Sequence, residues 1–307
     1  MAHTGHALRG RNLLTRSRIK HGVDKKIVAW AVLTVAALLG TGCTSGADAA
    51  PRTPPTAAPS AGADTAPPAG GEEAARPERA TAAAYRKWGL EPFAAPPAPP
   101  KVKPVRRAAG GPVPVISEIP TTDKVVFVTI DDGAEKDPEF VAMMKELKVP
   151  VTMFLTDSAI RTDYTYFEPL AALGNGVANH TLTHPNLRTL GRAAQQREIC
   201  GQQTRLAEKY GTAPRLFRPP YGNWNEDTRA AAGGCGVDAI VLWRESMQIK
   251  NLQYQRGDRK LHPGDIILAH FRGPAELKGT TMTEMTAAML RRIQEQGFTV
   301  ARLEDYV

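Results

Sequence analysis

Residues 125–133 read V-V-F-V-T-I-D-D-G, an apolar run that ends in two acids and a glycine. A run of β-branched and aromatic residues of this length predicts a buried strand. Adjacent strand residues point to opposite sides, so Asp131 and Asp132 can serve one site only if the chain turns there, and Gly133 permits that turn. The competing interpretation is an ordinary surface turn with both acids in solvent.

Similar apolar runs alternate with helix-length amphipathic stretches along the rest of the chain. They predict strands at residues 125–130, 151–155, 177–179, 216–218, 239–242, 266–269 and 299–301, and helices at 138–147, 190–210, 226–232 and 283–296. Repeated strand–helix alternation implies parallel strands, and hence an α/β layer or barrel. Residues with functional side chains occupy the ends of five of these strands: Asp131, His180, Arg218, Trp243 and His270. In a barrel these ends converge on one face, where such folds place their active sites.

Two histidines, His180 and His184, stand in the motif N-H-T-L-T-H-P directly after a predicted strand. On a helical turn this spacing places both imidazoles on one face, near enough for a common metal. Two histidines and one carboxylate form a catalytic ligand set, because they leave coordination positions for water and substrate. The second carboxylate of the D-D-G turn can then accept a proton from a water at the metal. A pair of surface histidines is the simpler alternative for the motif by itself.

Two further motifs contain candidate site residues. Arg218 and Tyr221 belong to R-P-P-Y-G, in which two prolines and a glycine predict a rigid loop that holds an arginine and a backbone N–H in place. A tight connection with a surface arginine is the alternative. His270 ends the apolar run I-I-L-A-H-F, where a lone histidine is more often a core residue than a catalyst.

Taken in order, these motifs resemble those of the NodB-type polysaccharide deacetylases, which form carbohydrate esterase family 4. The matching segments are V-T-I-D-D-G (with Ile130 where the family has Phe), H-T-L-T-H-P, R-P-P-Y-G and L-A-H-F, and the resemblance extends over residues 120–307. It implies a distorted (β/α) barrel of the α/β class and a single divalent metal, zinc first, with cobalt or manganese as alternatives.

The resemblance also implies a role for each matching residue. Asp132, His180 and His184 would hold the metal, Asp131 would be the general base, and Arg218 would orient that base. The Tyr221 N–H would help to hold the oxyanion with Trp243 beside the substrate, and His270 would be the general acid.

One motif departs from the family pattern. The family follows its fifth-strand tryptophan with W-x-x-D-x-x-D-W, in which an aspartate partners the acid histidine. Here Trp243 is followed by R-E-S-M-Q-I, so Ser246 and Ile249 occupy the two aspartate positions. Glu245 is the carboxylate nearest in sequence, and we hypothesise that a turn after Trp243 lets it replace the missing partner of His270.

The first 42 residues have the layout of an export signal. A basic start is followed by the apolar run 27–39 and by small residues that lead to Cys43. The run is shorter than the ~20 residues of a membrane span. The segment resembles a bacterial lipoprotein signal, in which Cys43 is lipidated after cleavage, and an uncleaved anchor is the alternative. We expect an exported protein that is either anchored to the outer face of the membrane or secreted.

Residues 43–118 are predicted to be a disordered tether rich in Pro and Ala. Fifteen of the 25 prolines lie in this stretch, which has too few apolar residues to offset the entropy of ordering it. Tyr85, Trp88, Leu90 and Phe93 interrupt it and form at most a short docking segment. The folded domain is accordingly expected at residues 119–307.

Charge and cysteine content restrict the partners of this domain. Residues 119–307 hold 23 basic and 23 acidic residues, so the overall charge of +8 belongs to the N-terminal segments and nucleic-acid binding has little support. Cys200 and Cys235 form an even pair, which in an exported domain favours a disulfide over two buried thiols.

For the assembly of the protein, we expect a monomer.

The motifs and the resemblance together predict a metal-dependent hydrolase that removes N-acetyl groups from an envelope or extracellular polysaccharide similar to peptidoglycan or chitin. Two alternatives stay open. An O-acetyl esterase acting on a polysaccharide such as xylan forms the same tetrahedral intermediate, and its leaving alcohol needs less help from an acid. A catalytically weak glycan-binding protein would account for the altered fourth motif.

Overall fold

The structure of the protein is a computed structural model that describes residues 81–307. The predicted signal segment 1–42, its apolar run and Cys43 lie outside the described residues. Within 81–307, no helix is long and apolar enough to cross a bilayer.

Ten strands and seven α-helices make up the described chain. The strands are β1 (Val115–Ile116), β2 (Val125–Asp132), β3 (Thr152–Leu155), β4 (Gly176–Asn179), β5 (Leu216–Phe217), β6 (Ala239–Val241), β7 (Glu245–Met247), β8 (Leu252–Tyr254), β9 (Ile266–His270) and β10 (Thr299–Val300). The helices are α1 (81–87), α2 (Pro138–Leu147), α3 (Asp157–Ile160), α4 (Glu168–Ala172), α5 (Arg192–Tyr210), α6 (Glu226–Gly234) and α7 (Met282–Glu295). All seven strands and all four helices expected from the sequence are confirmed.

The strands form one curled sheet in the order β1-β6-β5-β4-β3-β2-β9-β7-β8, with β10 also paired to β2. All pairs are parallel except the β7–β8 hairpin. Helices cover the outer face of the curled sheet, so the distorted (β/α) barrel expected from the resemblance is confirmed. The parallel pairing brings the C-terminal ends of the strands to one rim of the barrel.

Alternate residues of β2 belong to different hydrophobic clusters. Val126 and Val128 pack with Phe140 of α2 in the outer layer, whereas Val125 and Phe127 belong to the cluster inside the barrel. This alternation follows from the period of two along a strand. It determines which side chains at the end of each strand face the interior.

The N-terminal boundary of the domain differs from the expected one. Residues 81–114, here called the N-terminal belt, are ordered and pack against the barrel, and only then does β1 join the sheet. Tyr85, Leu90, Val105 and Val113 of the belt are all buried. The prediction of a disordered tether is therefore wrong for residues 81–118, because a few apolar residues spaced along the Pro-rich chain are enough to bury it against α2 and α7.

A disulfide joins Cys200 of α5 to Cys235, the residue that follows α6, with their Cα atoms 5.0 Å apart. The expected pairing is confirmed. The two cysteines are 35 residues apart in sequence. Their bond joins α5 to the end of α6, on the side of the barrel that carries β4 and β5.

Candidate active site

The five functional residues at the strand ends share the inner face of the barrel. Each follows an inward-facing residue by two positions, as a strand period of two requires. Ala178 before His180, Leu216 before Arg218 and Val241 before Trp243 belong to the cluster inside the barrel. Thr129 and Leu268, which pair in register, precede Asp131 and His270 in the same way. The rim of the barrel therefore gathers groups that are far apart in sequence.

Asp131 is held by a buried arginine. Arg218 Nη1 lies 2.6 Å from Asp131 Oδ1, and both side chains are almost fully buried. The same nitrogen donates to Thr129 Oγ1, while Nε and Nη2 donate to the carbonyls of Val241 and Leu242. Four of the five guanidinium N–H groups are used in these bonds, so the guanidinium fixes the Asp131 carboxylate in one position.

Asp132, His180 and His184 meet in front of this ion pair. One ligand atom from each lies within 4.8 Å of the other two. Asp132 Oδ1 lies 3.5 Å from His180 Nε2 and 3.3 Å from His184 Nε2. Burial raises the pKa of the Asp132 carboxyl, and the neighbouring Asp131 adds to this effect, while the two histidines oppose it. A divalent cation between these atoms would favour the carboxylate form.

The backbone turns between the two acids, as expected from Gly133. Asp132 adopts φ 75° and Gly133 φ 87°, so two successive residues are in the left-handed region. A Cβ atom at Gly133 would lie 2.5 Å from Ile160 Cγ2, which excludes any other residue there without rearrangement. This conformation directs the Asp132 side chain away from that of Asp131 and towards the histidines.

The two histidines do not lie on a helical turn, which corrects the expectation from their spacing. Residues 180–186 form a loop in which Thr181 and His184 have positive φ angles of 71° and 58°. Glu198 of α5 holds this loop, since its two carboxylate oxygens accept from the N–H and the hydroxyl of Thr183, both at 2.8 Å. The imidazoles converge because of this loop conformation.

The tautomer of His180 follows from its backbone partner. Its Nδ1 lies 2.7 Å from the carbonyl oxygen of Arg218, so Nδ1 carries the proton and donates it. Burial lowers the pKa of His180 to about 3, so the ring is neutral at pH 7. The lone pair on Nε2 is thereby left for a metal.

The R-P-P-Y-G loop forms one wall beside the histidines. Tyr221, at φ 61°, is 65% exposed, and its ring centroid lies 4.8 Å from that of His184. Trp243 packs close behind Gly222 and lies over the Arg218 guanidinium at 5.7 Å. These positions agree with the expected places of Tyr221 and Trp243 beside a substrate, and their roles there stay predictions.

His270 ends β9 directly beside Asp131, its register partner on β2. Burial lowers the pKa of His270 to about 4, and the Asp131 carboxylate acts in the opposite direction. The structure therefore brings the expected acid and base to the same part of the rim.

Glu245 does not reach His270, which corrects the hypothesis that it replaces the missing aspartate. Residues 245–247 form β7, with no turn, and Glu245 pairs in register with Ile267 of the outer layer. Its side chain therefore faces the outer side of the sheet, whereas His270 faces the interior. Asp265 and Arg256 are its charged neighbours there.

Reasoning from the sequence missed two residues that support the site. Thr129 bonds to Arg218 inside the barrel, and Asn179 accepts from the Thr181 N–H at 2.8 Å at the start of the histidine loop. A signal for Thr129 was present, because it is the polar residue at an inward position of the apolar run V-V-F-V-T-I.

Comparisons with known proteins agree with this geometry. A family model described as Polysaccharide deacetylase matches residues 118–240. An uncharacterised protein of Streptomyces coelicolor is 44% identical over 195 residues, which cover 63% of this chain and 77% of that protein. A chitooligosaccharide deacetylase of Sinorhizobium fredii is 30% identical over 196 residues, 58% of this chain and 89% of that enzyme.

Solved structures share the fold. A carbohydrate esterase family 4 pseudoenzyme from Bacillus anthracis superposes with a TM-score of 0.54 at 23% identity, covering 62% of this chain and 68% of that one. At this identity the similarity concerns the fold alone. The motifs, the barrel and the relatives together establish that this chain belongs to the polysaccharide deacetylase family.

Proposed function

We propose that the protein is an exported, metal-dependent deacetylase that hydrolyses N-acetyl groups of an envelope or extracellular glycan similar to peptidoglycan or chitin. The observation that carries this proposal is the convergence of Asp132, His180 and His184 beside a carboxylate, Asp131, that is held separately by Arg218. The similarity to a chitooligosaccharide deacetylase supports an acetylated amino sugar as substrate.

The donor set fits a zinc-type metal. Asp132 Oδ1 is buried and, among the described residues, has no hydrogen-bond partner, so its desolvation is unbalanced unless a cation binds there. Two imidazole nitrogens and one carboxylate suit zinc, and cobalt or manganese are accepted by similar sets. When bound, the metal would polarise the acetyl carbonyl and make a water easier to deprotonate.

Residues of the protein carry out the proton transfers and hold the reacting groups. Asp131 takes a proton from the attacking water, and Arg218 keeps its carboxylate aimed at that water. The Tyr221 N–H helps to hold the oxygen that becomes negatively charged when water adds to the acetyl carbon. The bond from that carbon to the amide nitrogen then breaks, and the protonated form of His270 gives a proton to the departing amine. The products are acetate and a free amino sugar.

The outward orientation of Glu245 supports a second candidate, an esterase that removes O-acetyl groups. Ser246 occupies the position of the family's aspartate and pairs with Leu268 on the inner side of the sheet. A histidine without that carboxylate partner protonates a leaving amine less well, while a leaving alcohol needs less help. A catalytically weak glycan-binding protein would have the same altered motif.

One assay distinguishes these functions. Acetate release is measured from N-acetylated and O-acetylated glycans, with and without a chelator, for the wild type and for His184→Ala. His262→Ala, which changes a histidine on the β8–β9 connection, is the control. Release from N-acetyl substrates that chelation abolishes and added zinc restores is the expected result. Release from O-acetyl substrates alone would favour the esterase, and full activity in metal-free protein would contradict the mechanism.

Cellular location and assembly complete the proposal. The basic and apolar segment 1–42 supports export, and Cys43 is the proposed lipid attachment point that holds the protein at the outer face of the membrane. We further propose that the protein acts as a monomer, without nucleic acid.

A further inference from the structure

A lysine outside the ligand set holds the turn that carries Asp131 and Asp132. Lys136 Nζ donates to the carbonyl of Gly133 at 2.7 Å and to that of Ala134 at 3.1 Å. A third bond, also 3.1 Å, reaches the carbonyl of Ala159 in α3. The ammonium has three protons, so all its donor capacity is used within the protein.

The backbone carbonyls of this turn need hydrogen-bond donors that hold its conformation. Asp132 and Gly133 both have positive φ angles, and a non-glycine residue in that region is strained. The first two carbonyls of the turn already have donors, because the Gly133 N–H donates to the Asp131 carbonyl and the Thr156 N–H donates to the Asp132 carbonyl. Lys136 supplies donors to the two carbonyls that follow.

The contact with α3 extends the effect to the histidines. The first two amides of α3, those of Asp157 and Ser158, donate to the carbonyls of Thr181 and Leu182 in the histidine loop. Lys136 binds the C-terminal part of the same short helix through Ala159. One ammonium thus connects the turn of Asp132 to the element that supports the loop of His180 and His184.

The positive charge of Lys136 is favourable among these backbone carbonyls. Burial lowers the pKa of Lys136, while Asp163 and Glu135 act in the opposite direction. Charge-assisted hydrogen bonds are stronger than neutral ones, so three of them offset the partial desolvation of the ammonium. A neutral side chain of the same length would leave the carbonyls of Gly133 and Ala159 without this donor.

We propose that Lys136 is a positioning residue, which holds the aspartate turn and α3 in the arrangement that brings Asp132 to His180 and His184. The inference rests on the proposed metal site. Lys136 bonds to backbone carbonyls and to none of the proposed ligand atoms, so it acts through the backbone. Its loss should therefore weaken metal binding and lower kcat, while KM for the glycan changes little.

The test compares Lys136→Met, Lys136→Gln and Lys136→Arg in the full chain, with Lys145→Met on the exposed side of α2 as the matched control. Zinc affinity is measured by competition with a chelator, and unfolding free energy by denaturant. Because partners outside the ligand set typically change metal affinity by about 10–100-fold, we expect a loss in this range for Met, a smaller one for Gln, and partial rescue by Arg. Lys145→Met should bind zinc as the wild type does.

Amide hydrogen exchange in metal-free protein gives a second readout. In Lys136→Met the amides of Gly133 and Thr156 should exchange faster than in the wild type, while amides of α7 stay unchanged. If exchange at both positions and zinc affinity are unchanged while stability falls, the role of Lys136 is structural only and the proposal is wrong. If the wild type binds no zinc, the proposed function fails, and the exchange rates still decide whether Lys136 holds the turn. If Lys136→Met does not fold, the same criteria apply to Lys136→Gln.

Discussion

Two adjacent aspartates have different environments, and that difference assigns their chemistry. Asp131 accepts a buried charge-assisted hydrogen bond from Arg218, whereas Asp132 Oδ1 has no hydrogen-bond partner within residues 81–307 and faces two imidazoles. An arginine that holds one carboxylate oxygen fixes the other oxygen in a position from which it can accept a proton, whereas a carboxylate oxygen without a partner is suited to bind a cation. The positive φ of Asp132 separates the two roles within a single turn.

Replacing Asp131 by Asn should separate rate from metal content. The Asn side-chain oxygen can still accept from Arg218, so the fold and the bound zinc should persist, but an amide has no useful basicity. We expect a loss of at least ~10²-fold in kcat, the usual scale for general base catalysis. Measuring zinc content beside kcat checks this, with Asp227→Asn on the exposed surface of α6 as control. Loss of zinc together with activity would make Asp131 a ligand instead.

Glu245, another buried acid, belongs to a charged cluster behind the sheet. It is fully buried, lies near Asp265, and is 3.6 Å from Arg256 Nη1. Asp265 already accepts from Arg256 and from the N–H of His262, both at 2.7 Å. Burial and the neighbouring Asp265 raise the pKa of Glu245 to about 8, so near neutral pH it is largely protonated and can donate to Asp265.

This shift predicts that stability falls as pH rises. The ordinary pKa of 4.5 applies to the unfolded chain, so between about pH 5 and pH 8 the folded protein holds a proton that unfolding releases. Unfolding becomes easier with pH by at most about 1.4 kcal/mol per unit from this group. In Glu245→Gln that slope should disappear, so the variant should match the wild type near pH 5 and exceed its stability near pH 8. Denaturant unfolding at both values checks this, with Glu208→Gln as an exposed control; equal slopes would show that Glu245 is ionised throughout.

Among the elements, the N-terminal belt changes the definition of the domain. The Tyr85 hydroxyl donates to the carbonyl of Leu147 at the end of α2, and the Val105 N–H donates to the carbonyl of Tyr306 below the barrel. Leu90 is only 3% exposed, within the main hydrophobic cluster. A Pro-rich segment can thus be ordered when its few apolar residues fall where the barrel offers a surface.

Replacing Leu90 by Ala should therefore destabilise the domain. Truncating a buried Leu typically costs about 2–5 kcal/mol, because apolar contacts are lost and a cavity remains. Val102→Ala, at a position of the same belt that is 61% exposed, should change stability by less than about 0.5 kcal/mol. Denaturant unfolding of both variants measures the difference. If both variants have equal and negligible effects, the belt does not stabilise the domain and is the disordered tether that its composition predicts.

At the scale of the whole molecule, the N-terminal segments should determine where the protein is found. If Cys43 carries the lipid, Cys43→Ala should release the protein from membranes into the medium, because a cleaved chain without lipid has no anchor. Cell fractionation and mass analysis of the mature N-terminus check this, and Thr44→Ala serves as control. A variant that stays in the membrane fraction would instead make the apolar run 27–39 an uncleaved anchor.

From local properties, the sequence predicted seven of the strands, four of the helices, the α/β class and the residues that meet at the strand ends. These properties are apolar periodicity, the residue types at strand ends, and a glycine after two acids. The barrel itself followed only from the resemblance to the family. The pairing of Cys200 with Cys235 was favoured only by composition, and the structure supplied their proximity.

The tertiary structure alone decided the direction of Glu245, the conformation of the histidine loop and the burial of the belt. Glu245 faces outwards because residues 245–247 pair with β9 in a register that places Ile267 beside it. His184 reaches the metal position through left-handed residues that α3 and Glu198 hold in place. These features depend on partners distant in sequence, and local residue preferences do not encode which partners will meet.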